Sequence, residues 1–348
     1  MPKYKKIKIT ILTRPDDASP KVLADGLHNL LKKDNQISSK IIYNTSFLSR
    51  LLTLFGNKTS KVKLHYRIFG RITNYFNDLR VLRKLKNSDA IIISECTPNA
   101  FWKNHYGIEE LRKKAPGIPI ILYEVYYLGN APSQIERLKA QNNPTIERYD
   151  WHLAVTEITE IRGKPTPPWS CVGLNLEQTG LRPLPKKECF AIVDFEQKGY
   201  ERYRTEQIEV LKNLDIPFVS FEKRMSIHEI RNYYKNASLI FMESPEAFGV
   251  PLAECLSCGT AIFTPSKEWP MSWRINDGEQ EYLPECFIVY NNYDDLKSKL
   301  IEFKSLYNPE LTPKRINKIF IESYPHFFYG RKDTIDDLVV LIKNRKFD

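Results

Sequence analysis

The sequence predicts an α/β protein with two Rossmann-like domains that face each other across a cleft. Segments with strand-like and helix-like patterns alternate along the chain, and this alternation occurs twice. A proline-rich stretch, residues 163–187, separates the two runs. Such alternation is typical of parallel sheets whose strands are joined by right-handed crossover helices. The 348 residues are enough for two domains of roughly 150 residues each.

The domain boundaries follow from composition. The stretch 163–187 contains five prolines and three glycines, a composition typical of linkers. We therefore expect an N-terminal domain, a linker, a C-terminal domain and terminal helices that pack back towards the N-terminal domain. The predicted ranges are residues 1–175, 176–187, 188–323 and 324–348, in that order.

Apolar segments in the first run predict the strands of a parallel sheet. Residues 89–94 and 118–125 are almost continuously apolar, which is typical of strands buried on both faces. Ser19 and Pro20 have the form of a helix N-cap and first helical residue, and leucines follow at helical spacing. The predicted strands are residues 7–12, 39–44, 89–94, 118–125 and 149–155.

The second run repeats the pattern. Ser226 and Glu229 predict a capping box, in which each side chain bonds to the backbone of the other residue at a helix start. The predicted helices are residues 203–214, residues 226–236 and a third helix that ends at Gly259. The predicted strands are residues 189–195, 216–221, 238–242, 261–265 and 286–290, the last of them at an edge.

The net charge of +10 is concentrated in one segment. Residues 50–86 contain ten Lys and Arg residues and one acid, Asp78. Apolar residues recur at helical spacing between positions 61 and 86, which predicts an amphipathic basic helix. Such a helix suits an approach to anionic lipid, a phosphorylated acceptor or nucleic acid, and the alternative is a solvated basic face on a packed helix. The arginines interleaved on it are Arg67, Arg71, Arg80 and Arg83.

Neither a transmembrane helix nor a secretory signal is expected. No apolar run of 18 residues occurs, and the chain enters a strand-like segment directly, so we expect a cytoplasmic protein. The six cysteines lie in hydrophobic contexts without a regular framework, which predicts buried, reduced thiols. Cys255 and Cys258 form a C-x-x-C pair, but no second pair lies at zinc spacing, so packed cysteines are expected.

The segment 243–265 places two glutamates around a turn that suits an anion. It predicts a strand, a loop and a helix N-terminus, where backbone N–H groups and the helix dipole favour phosphate. Pro251 suits the first helical turn, and Gly249 permits close approach of a ligand. Glu254, about one turn into the helix, is suited to accept hydrogen bonds from a ribose diol. Glu246 precedes the turn and is expected to contact a hydroxyl-rich part of the ligand.

A known motif matches these residues. They are Glu246, Phe248, Gly249, Pro251, Glu254 and the Cys-Gly-Thr sequence at 258–260, and they resemble the E-x7-E motif of retaining, GT-B-fold glycosyltransferases of the family 4 type. The resemblance covers residues 190–264 well, while the first domain matches only in architecture. It implies a UDP- or GDP-sugar donor, with Glu254 on the ribose and Glu246 on the transferred sugar. The backbone contacts that it implies come from Phe248, Gly249 and Val250.

The resemblance also implies positive charge for the donor diphosphate. The family usually has an Arg and a Lys in the loop after the first strand of the second domain. Lys198 matches the lysine, whereas Val193 stands at the arginine position. Arg202 or Arg204 is the predicted substitute. Because this charge and the helix N-terminus stabilise the leaving group, no cofactor and no metal ion are expected.

Acids near strand ends are further candidates for the cleft. Asp16 and Asp17 lie in the loop after the first strand, where the family tends to have glycines. Glu95 and Glu124 end buried-looking strands. Since ligands bind at the carboxyl ends of parallel strands, these two glutamates make either polar contacts in the cleft or structural hydrogen bonds.

Other polar residues have a structural interpretation. His152 lies in an apolar strand and is expected to be a satisfied core residue. Asp194 and Glu196 resemble the acidic motif with which GT-A transferases hold a metal ion, but surface-loop acids are the favoured interpretation.

These features predict a retaining glycosyltransferase that moves a sugar from a nucleotide-sugar to an acceptor held by the N-terminal domain. The basic helix favours a lipid-linked glycan acceptor, as in bacterial surface-polysaccharide synthesis, with the enzyme peripheral on the inner, anionic face of a membrane. One alternative is a DNA-modifying glucosyltransferase of the phage type, with DNA as partner. The other is a GT-B scaffold that binds a partner or nucleotide without turnover.

Overall fold

Two parallel sheets organise the protein. The computed structural model describes residues 6–13, 19–43, 79–94, 108–125, 149–156, 169–223, 225–276 and 278–344. One sheet is built from the first half of the chain and the other from the second half. This architecture confirms the predicted α/β fold class with two Rossmann-like parallel sheets.

The strands of the first sheet come from the N-terminal half. They are β1 (Ile7–Thr13), β2 (Ile37–Tyr43), β3 (Ala90–Ser94), β4 (Ile120–Glu124), β5 (Trp151–Ala154) and β6 (Trp169–Cys171). They run parallel in the order β2-β1-β3-β4-β5-β6. β3 and β4 are buried along their whole length, as their continuous apolar sequences predict.

Helices cover this sheet where they are described. Helix α1 (Ser19–Lys32) begins at the predicted serine and buries its leucines against the strands. Helix α2 (Ile108–Lys114) precedes β4. Residues 79–85 are also helical.

The proline-rich stretch contains a strand that its composition did not predict. β6 lies within residues 163–187 and pairs with β5 over three residues. Its three residues do not lie within a continuous apolar run, and the strand exists because its backbone groups complete the hydrogen-bond ladder at the edge of the sheet.

The second sheet is built from shorter strands. They are β7 (Ala191–Val193), β8 (Phe218–Ser220), β9 (Leu239–Phe241), β10 (Ala261–Thr264) and β13 (Phe287–Val289), while β11 (Ile275–Asn276) and β12 (Glu281–Tyr282) form a separate antiparallel pair. The main strands are parallel in the order β13-β10-β9-β7-β8, so β13 is at an edge, as predicted.

The helices of the second half alternate with these strands. They are α3 (Glu201–Asn213), α4 (Ile227–Asn236), α5 (Val250–Ser257), α6 (Tyr293–Leu306), α7 (Leu311–Ser323), α8 (Pro325–Tyr329) and α9 (Lys332–Asn344). The capping box of Ser226 and Glu229 is present at the start of α4. Sequence patterns did not predict α6, α7 or the β11–β12 pair.

The glycine in the Cys-Gly-Thr sequence that ends the motif allows close helix packing. Gly259 follows α5 with φ +73°, and a Cβ atom there would lie 2.2 Å from the carbonyl oxygen of Pro313 on α7. Only glycine permits this approach, because the neighbour is backbone and cannot move aside.

The last helices contact the end of the first sheet. The amide of Leu174 donates to the carbonyl of His326, and the amide of Arg331 donates to the carbonyl of Val172. The hydroxyl of Thr334 donates to the carbonyl of Cys171. α8 and α9 therefore lie against the segment that follows β6.

Most of the predicted basic helix lies outside the described residues, including Arg67 and Arg71. In its described part, Leu82 is buried and both Arg80 and Arg83 are exposed. Among the described helices, none combines the length and the apolar character that crossing a membrane requires.

Candidate active site

The second sheet has a topological switch point between β7 and β9. The chain leaves β7 towards β8 on one side and leaves β9 towards β10 on the other. The crevice at the carboxyl ends of two such strands is where α/β sheets bind ligands. A pocket of about 210 Å³ lies there. It is lined by Asp194, Phe195, Gln197, Phe241, Met242, Glu243, Ser244, Pro245, Glu246 and Leu252.

The turn of the motif brings Glu246 beside the N-terminus of α5. Gly249 is the N-cap residue with φ +67°, and Pro251 lies in the first turn. A Cβ atom on Gly249 would lie 2.9 Å from Oε2 of Glu246. Glycine therefore lets the carboxyl group of Glu246 lie against the turn, at the end of α5 where backbone N–H groups favour an anion.

Phe248 anchors this turn in the core. Its side chain is fully buried, stacked on Trp273 with ring centroids 5.1 Å apart. Nε1 of Trp273 donates to the carbonyl oxygen of Phe248 at 2.5 Å. Phe327 of α8 packs edge-on against Phe248, with centroids 4.8 Å apart. The ring of Phe248 is thus structural. A contact between its backbone and the nucleotide-sugar remains a prediction.

Glu254 is held by an arginine that sequence patterns did not single out. Nη2 and Nε of Arg231 donate to Oε1 of Glu254 at 2.5 and 3.1 Å. Glu254 is 4% exposed. Burial raises the pKa of its carboxyl group, and the Arg231 guanidinium opposes that shift. Arg231 lies on α4, and only the packing of α4 against α5 brings the two residues together.

Arg204, the predicted substitute for the diphosphate-binding arginine of the family, donates hydrogen bonds to other groups of the protein. Its Nη2 donates to Oε1 of Glu222 at 2.6 Å, and its Nε donates to the carbonyl oxygen of Asp194 at 3.2 Å. The carboxyl groups of Glu243 and Glu196 lie 3.6 and 3.8 Å from the guanidinium. Arg204 therefore neutralises a cluster of acids, and its role towards a diphosphate remains a prediction.

The other predicted cations of this loop are exposed. Lys198 lies on the surface of the loop after β7. Arg202 pairs with Glu206 one turn along α3 and points into solvent. Binding of a diphosphate by Lys198 remains a prediction.

Three carboxyl groups in the pocket have raised pKa values. Burial, followed by the nearby Asp194 carboxylate, raises the pKa of Glu243 to about 9 and that of Glu246 to about 7. Burial raises the pKa of Asp194 to about 6, although the Phe195 amide and Arg204 oppose the shift. At neutral pH the pocket therefore holds protonated as well as ionised carboxyl groups.

The structure revises the interpretation of Asp194 and adds Glu243 to the site. Asp194 lines the pocket, whereas the sequence favoured a surface position; Glu196 is exposed, as expected. Glu243 was not among the predicted site residues, although it directly follows the predicted strand 238–242, and its place at a strand end is the signal that singled out Glu95 and Glu124. Among the described residues, no group of three or more His, Cys, Asp or Glu side chains is arranged to hold a metal ion.

The N-terminal sheet contains a buried pair of polar side chains. Glu124 at the end of β4 is fully buried, and its Oε1 lies 3.1 Å from Nε2 of His152 on β5. Burial lowers the pKa of His152 to about 3, so the imidazole is neutral at physiological pH. This geometry favours a core role for His152, as expected. The other predicted cleft acids, Asp16, Asp17 and Glu95, lie outside the described residues.

The C-x-x-C pair carries free thiols. Cys255 and Cys258 are buried and unpaired. Burial raises the pKa of both thiols, that of Cys258 to about 12. Thiols of this kind are poor nucleophiles and poor metal ligands, in agreement with the packing role expected for them.

Comparisons with known proteins identify the fold. No protein-family model matches the chain, and a search of curated protein sequences found no match. Solved structures do match. A crystal structure of Anabaena Alr3699/HepE in complex with UDP-glucose has a TM-score of 0.53 and 12% identity, covering 97% of this chain and 100% of that one. The chain has the GT-B fold.

Two further structures lead to the same conclusion. The S. aureus MnaA–UDP structure has a TM-score of 0.52 and 12% identity, covering 97% of this chain and 96% of that one. A UDP-N-acetylglucosamine 2-epimerase has a TM-score of 0.50 and 10% identity, covering 93% and 97%. Identities this low show the shared fold alone, which confirms the GT-B fold class predicted from the sequence.

Proposed function

We propose that this protein is a glycosyltransferase that transfers a sugar from a UDP- or GDP-sugar, and that it is of the retaining, family 4 type. The observation that carries the proposal is the placement of Glu246 and Glu254 on α5 and its N-terminal turn, at the switch point of a GT-B fold. The similar structures of Anabaena Alr3699/HepE and S. aureus MnaA, which hold UDP-glucose and UDP, support a nucleotide-sugar as ligand.

The geometry suggests a place for each part of the donor. The diphosphate lies at the N-terminus of α5, where the dipole and the backbone N–H groups offset its charge. Glu254, held in place by Arg231, accepts hydrogen bonds from the ribose hydroxyl groups. Glu246 contacts the transferred sugar from within the pocket. Lys198 and Arg204, on the neighbouring loop and helix, add positive charge near the leaving group.

The proposed reaction is a front-side displacement with retention. The acceptor oxygen forms its bond to the anomeric carbon on the face from which the diphosphate leaves. The proton of the acceptor hydroxyl passes to an oxygen of that diphosphate, so no dedicated catalytic base is required. Transfer proceeds without a metal ion in this scheme, because the helix N-terminus and basic side chains stabilise the developing charge.

We further propose a lipid-linked glycan acceptor in bacterial surface-polysaccharide synthesis. The basic segment supports it, since Arg80 and Arg83 are exposed on the helical residues 79–85. Together with Arg67 and Arg71 they would attract the protein to the inner, anionic face of a membrane, at about 1 kcal/mol for each residue near the surface.

One observation favours a second candidate, a GT-B scaffold that binds a nucleotide without turnover. The Arg204 guanidinium, which the first proposal uses near the diphosphate, is already bonded to Glu222 and Asp194. A protein that does not stabilise a leaving diphosphate can retain such a network. Turnover measurements separate the two candidates.

Donor binding is tested first by thermal shift with UDP-glucose, UDP-N-acetylglucosamine, GDP-mannose, UDP and GDP. A nucleotide-sugar present at about 100 times its Kd stabilises the folded state by about 2.7 kcal/mol, which raises Tm by several degrees. If none of the five compounds raises Tm at millimolar concentration, the proposed function is wrong.

Turnover is tested by the release of UDP or GDP from the donor that binds. Replacing Glu246 by Gln should reduce turnover by about 100-fold, because a misplaced sugar loses its orientation towards the acceptor. Glu302→Gln is the control, since Glu302 is an exposed acid on α6 that does not line the pocket. A wild-type protein that binds the donor without releasing nucleotide would instead support the scaffold.

Membrane docking is tested by sedimentation with vesicles. We expect the protein to bind vesicles containing 30 mol% phosphatidylglycerol and not vesicles of pure phosphatidylcholine. Reversing the charge at Arg67, Arg71, Arg80 and Arg83 should abolish binding. If the fourfold variant binds as the wild type does, the docking proposal fails. Steeply salt-dependent binding to duplex DNA would favour the DNA-modifying alternative.

A further inference from the structure

Glu243 is a buried acid in the wall of the switch-point pocket. The residue is 4% exposed, and neither of its carboxyl oxygens makes a hydrogen bond within the described part of the chain. It lines the same pocket as Glu246, three residues further along the β9 loop. Buried polar groups in folded proteins are almost always hydrogen-bonded, so an unsatisfied one that faces a pocket points to a ligand.

The charges that face Glu243 exclude an anionic ligand group. They come from the loop after β7, from the loop after β8, from α3 and from the turn before α5. The acids are Asp194, Glu196 and Glu222, with Glu246 of the turn lining the same pocket, and the cation is Arg204. A diphosphate placed among these carboxyl groups would be repelled, so the pocket is suited to a neutral or hydroxyl-rich part of a ligand.

The surrounding acids also set the protonation state of Glu243. Burial and then the Asp194 carboxylate raise its pKa to about 9, against the opposing effect of Arg204. At neutral pH the group is therefore a carboxylic acid. Such a group donates one hydrogen bond through its O–H and accepts others, which is the pattern that a sugar hydroxyl complements.

The shape and lining of the pocket fit one sugar ring. Its volume of about 210 Å³ is below the roughly 300–1,000 Å³ of pockets that enclose a whole drug-sized ligand, so it takes one part of a nucleotide-sugar. Phe195, Met242 and Leu252 are apolar lining residues, and Asp194, Glu243 and Glu246 line the same pocket. A pyranose has apolar C–H faces and hydroxyl groups at its edge, which matches this lining.

We propose that Glu243 recognises the donor sugar, and that its buried carboxyl group exchanges hydrogen bonds with a sugar hydroxyl in the pocket between β7 and β9. The proposal rests on the proposed function, because it assumes a nucleotide-sugar donor. It adds a specificity-determining residue to Glu246: two carboxyl groups contact different hydroxyl groups of one ring. A site that hydrogen-bonds a hydroxyl group rejects analogues that lack it.

Isothermal titration calorimetry with UDP-glucose and UDP tests the proposal, with GDP-mannose and GDP as a second pair. Glu243→Leu should weaken binding of the nucleotide-sugar by at least about 10-fold and leave the free nucleotide within about twofold, since only the sugar contact is lost. Glu243→Gln, which keeps one donor and one acceptor, should stay within a few-fold of the wild type for both. Glu302→Gln is the control, because that acid is exposed on α6 and does not line the pocket.

The preference for nucleotide-sugar over nucleotide should also depend on pH. Glu243 loses its proton as pH rises through about 9, so the wild-type preference should be present at pH 8 and decline towards pH 10. Asp194 and Glu246 are already ionised across most of that range. In Glu243→Gln the preference should not change with pH. A purely structural role of Glu243 would not produce this difference between the variant and the wild type.

The outcomes are distinguishable. If the wild type binds neither pair of compounds, the proposed function fails and the inference fails with it. If UDP-glucose or GDP-mannose binds and Glu243→Leu retains the wild-type preference, the function stands and the inference is wrong. An equal loss of nucleotide and nucleotide-sugar binding in both Glu243 variants, with unchanged Tm, would assign Glu243 to the nucleotide and also overturn the inference.

Discussion

Replacing Arg231 by Met should destabilise the protein in a pH-dependent way. The substitution keeps an unbranched side chain of similar length on α4 but removes both hydrogen bonds to Oε1 of Glu254. The carboxyl side chain of Glu254 is 5% exposed, and that of Arg231 is 20% exposed. The variant therefore leaves a buried carboxyl group without its cation.

The structure sets an upper limit to the cost. An uncompensated buried carboxylate costs about 3–5 kcal/mol. Glu254 can avoid this by taking up a proton, which from its ordinary pKa of 4.5 costs about 3.4 kcal/mol at pH 7, at 1.36 kcal/mol per pH unit. Burial already raises the pKa of Glu254 in the wild-type protein, so the loss of unfolding free energy should be at most about 3 kcal/mol at pH 7. Near pH 5 it should be below about 1 kcal/mol.

The sign of the pH effect follows from linkage. Without Arg231, burial raises the pKa of Glu254 further in the folded protein, while the unfolded chain keeps its ordinary value. The unfolded state is the same for both proteins, so the deficit of the variant grows as pH rises above the pKa of Glu254 in the wild-type fold, which is itself above 4.5, until the folded group of the variant also ionises.

Urea unfolding followed by circular dichroism, at pH 5 and at pH 7, measures this effect. The double variant Arg231→Met/Glu254→Gln should recover part of the stability at pH 7, because the buried charge is gone. A deficit of equal size at both pH values, or a double variant as unstable as the sum of the single ones, would refute the reasoning.

Two further predictions concern the turn between the glutamates. Gly249→Ala should lower the free energy of unfolding by more than the roughly 1–2 kcal/mol expected for a Cβ atom at positive φ. The added Cβ would lie only 2.9 Å from Oε2 of Glu246, so the carboxyl group must also move. Gly117→Ala is its control, with φ +70° and no atom within 4 Å of the added Cβ; equal unfolding free energies for the two variants would contradict the steric explanation. Trp273→Phe should lose roughly 1–3 kcal/mol in urea unfolding, since the buried carbonyl of Phe248 loses its donor. Trp269→Phe, at a half-buried position in another aromatic contact, should cost less, and the reverse order would argue against this role of the indole.

Elements with a local signal were predicted well. Strands β3 and β4 are continuous apolar runs, and α4 begins at a capping box whose two residues are three apart in sequence. β6 and the β11–β12 pair were missed because they do not lie within a continuous apolar run, unlike the equally short β7 and β9. Such strands depend on pairing with partner strands elsewhere in the chain, and their own sequences do not reveal that pairing.

The sequence by itself determined the α/β alternation, the glycine-capped turn and the positions of Glu246 and Glu254, because each depends on residues close together in the chain. The tertiary structure alone decided which charges surround those glutamates. Arg231 reaches Glu254 across 23 residues, and Arg204 meets Glu222 across 18. Asp194 and Glu243 face one pocket only because β7 and β9 are neighbours in the sheet. Electrostatics acts through space, so the protonation of this site follows from the packing of separate elements.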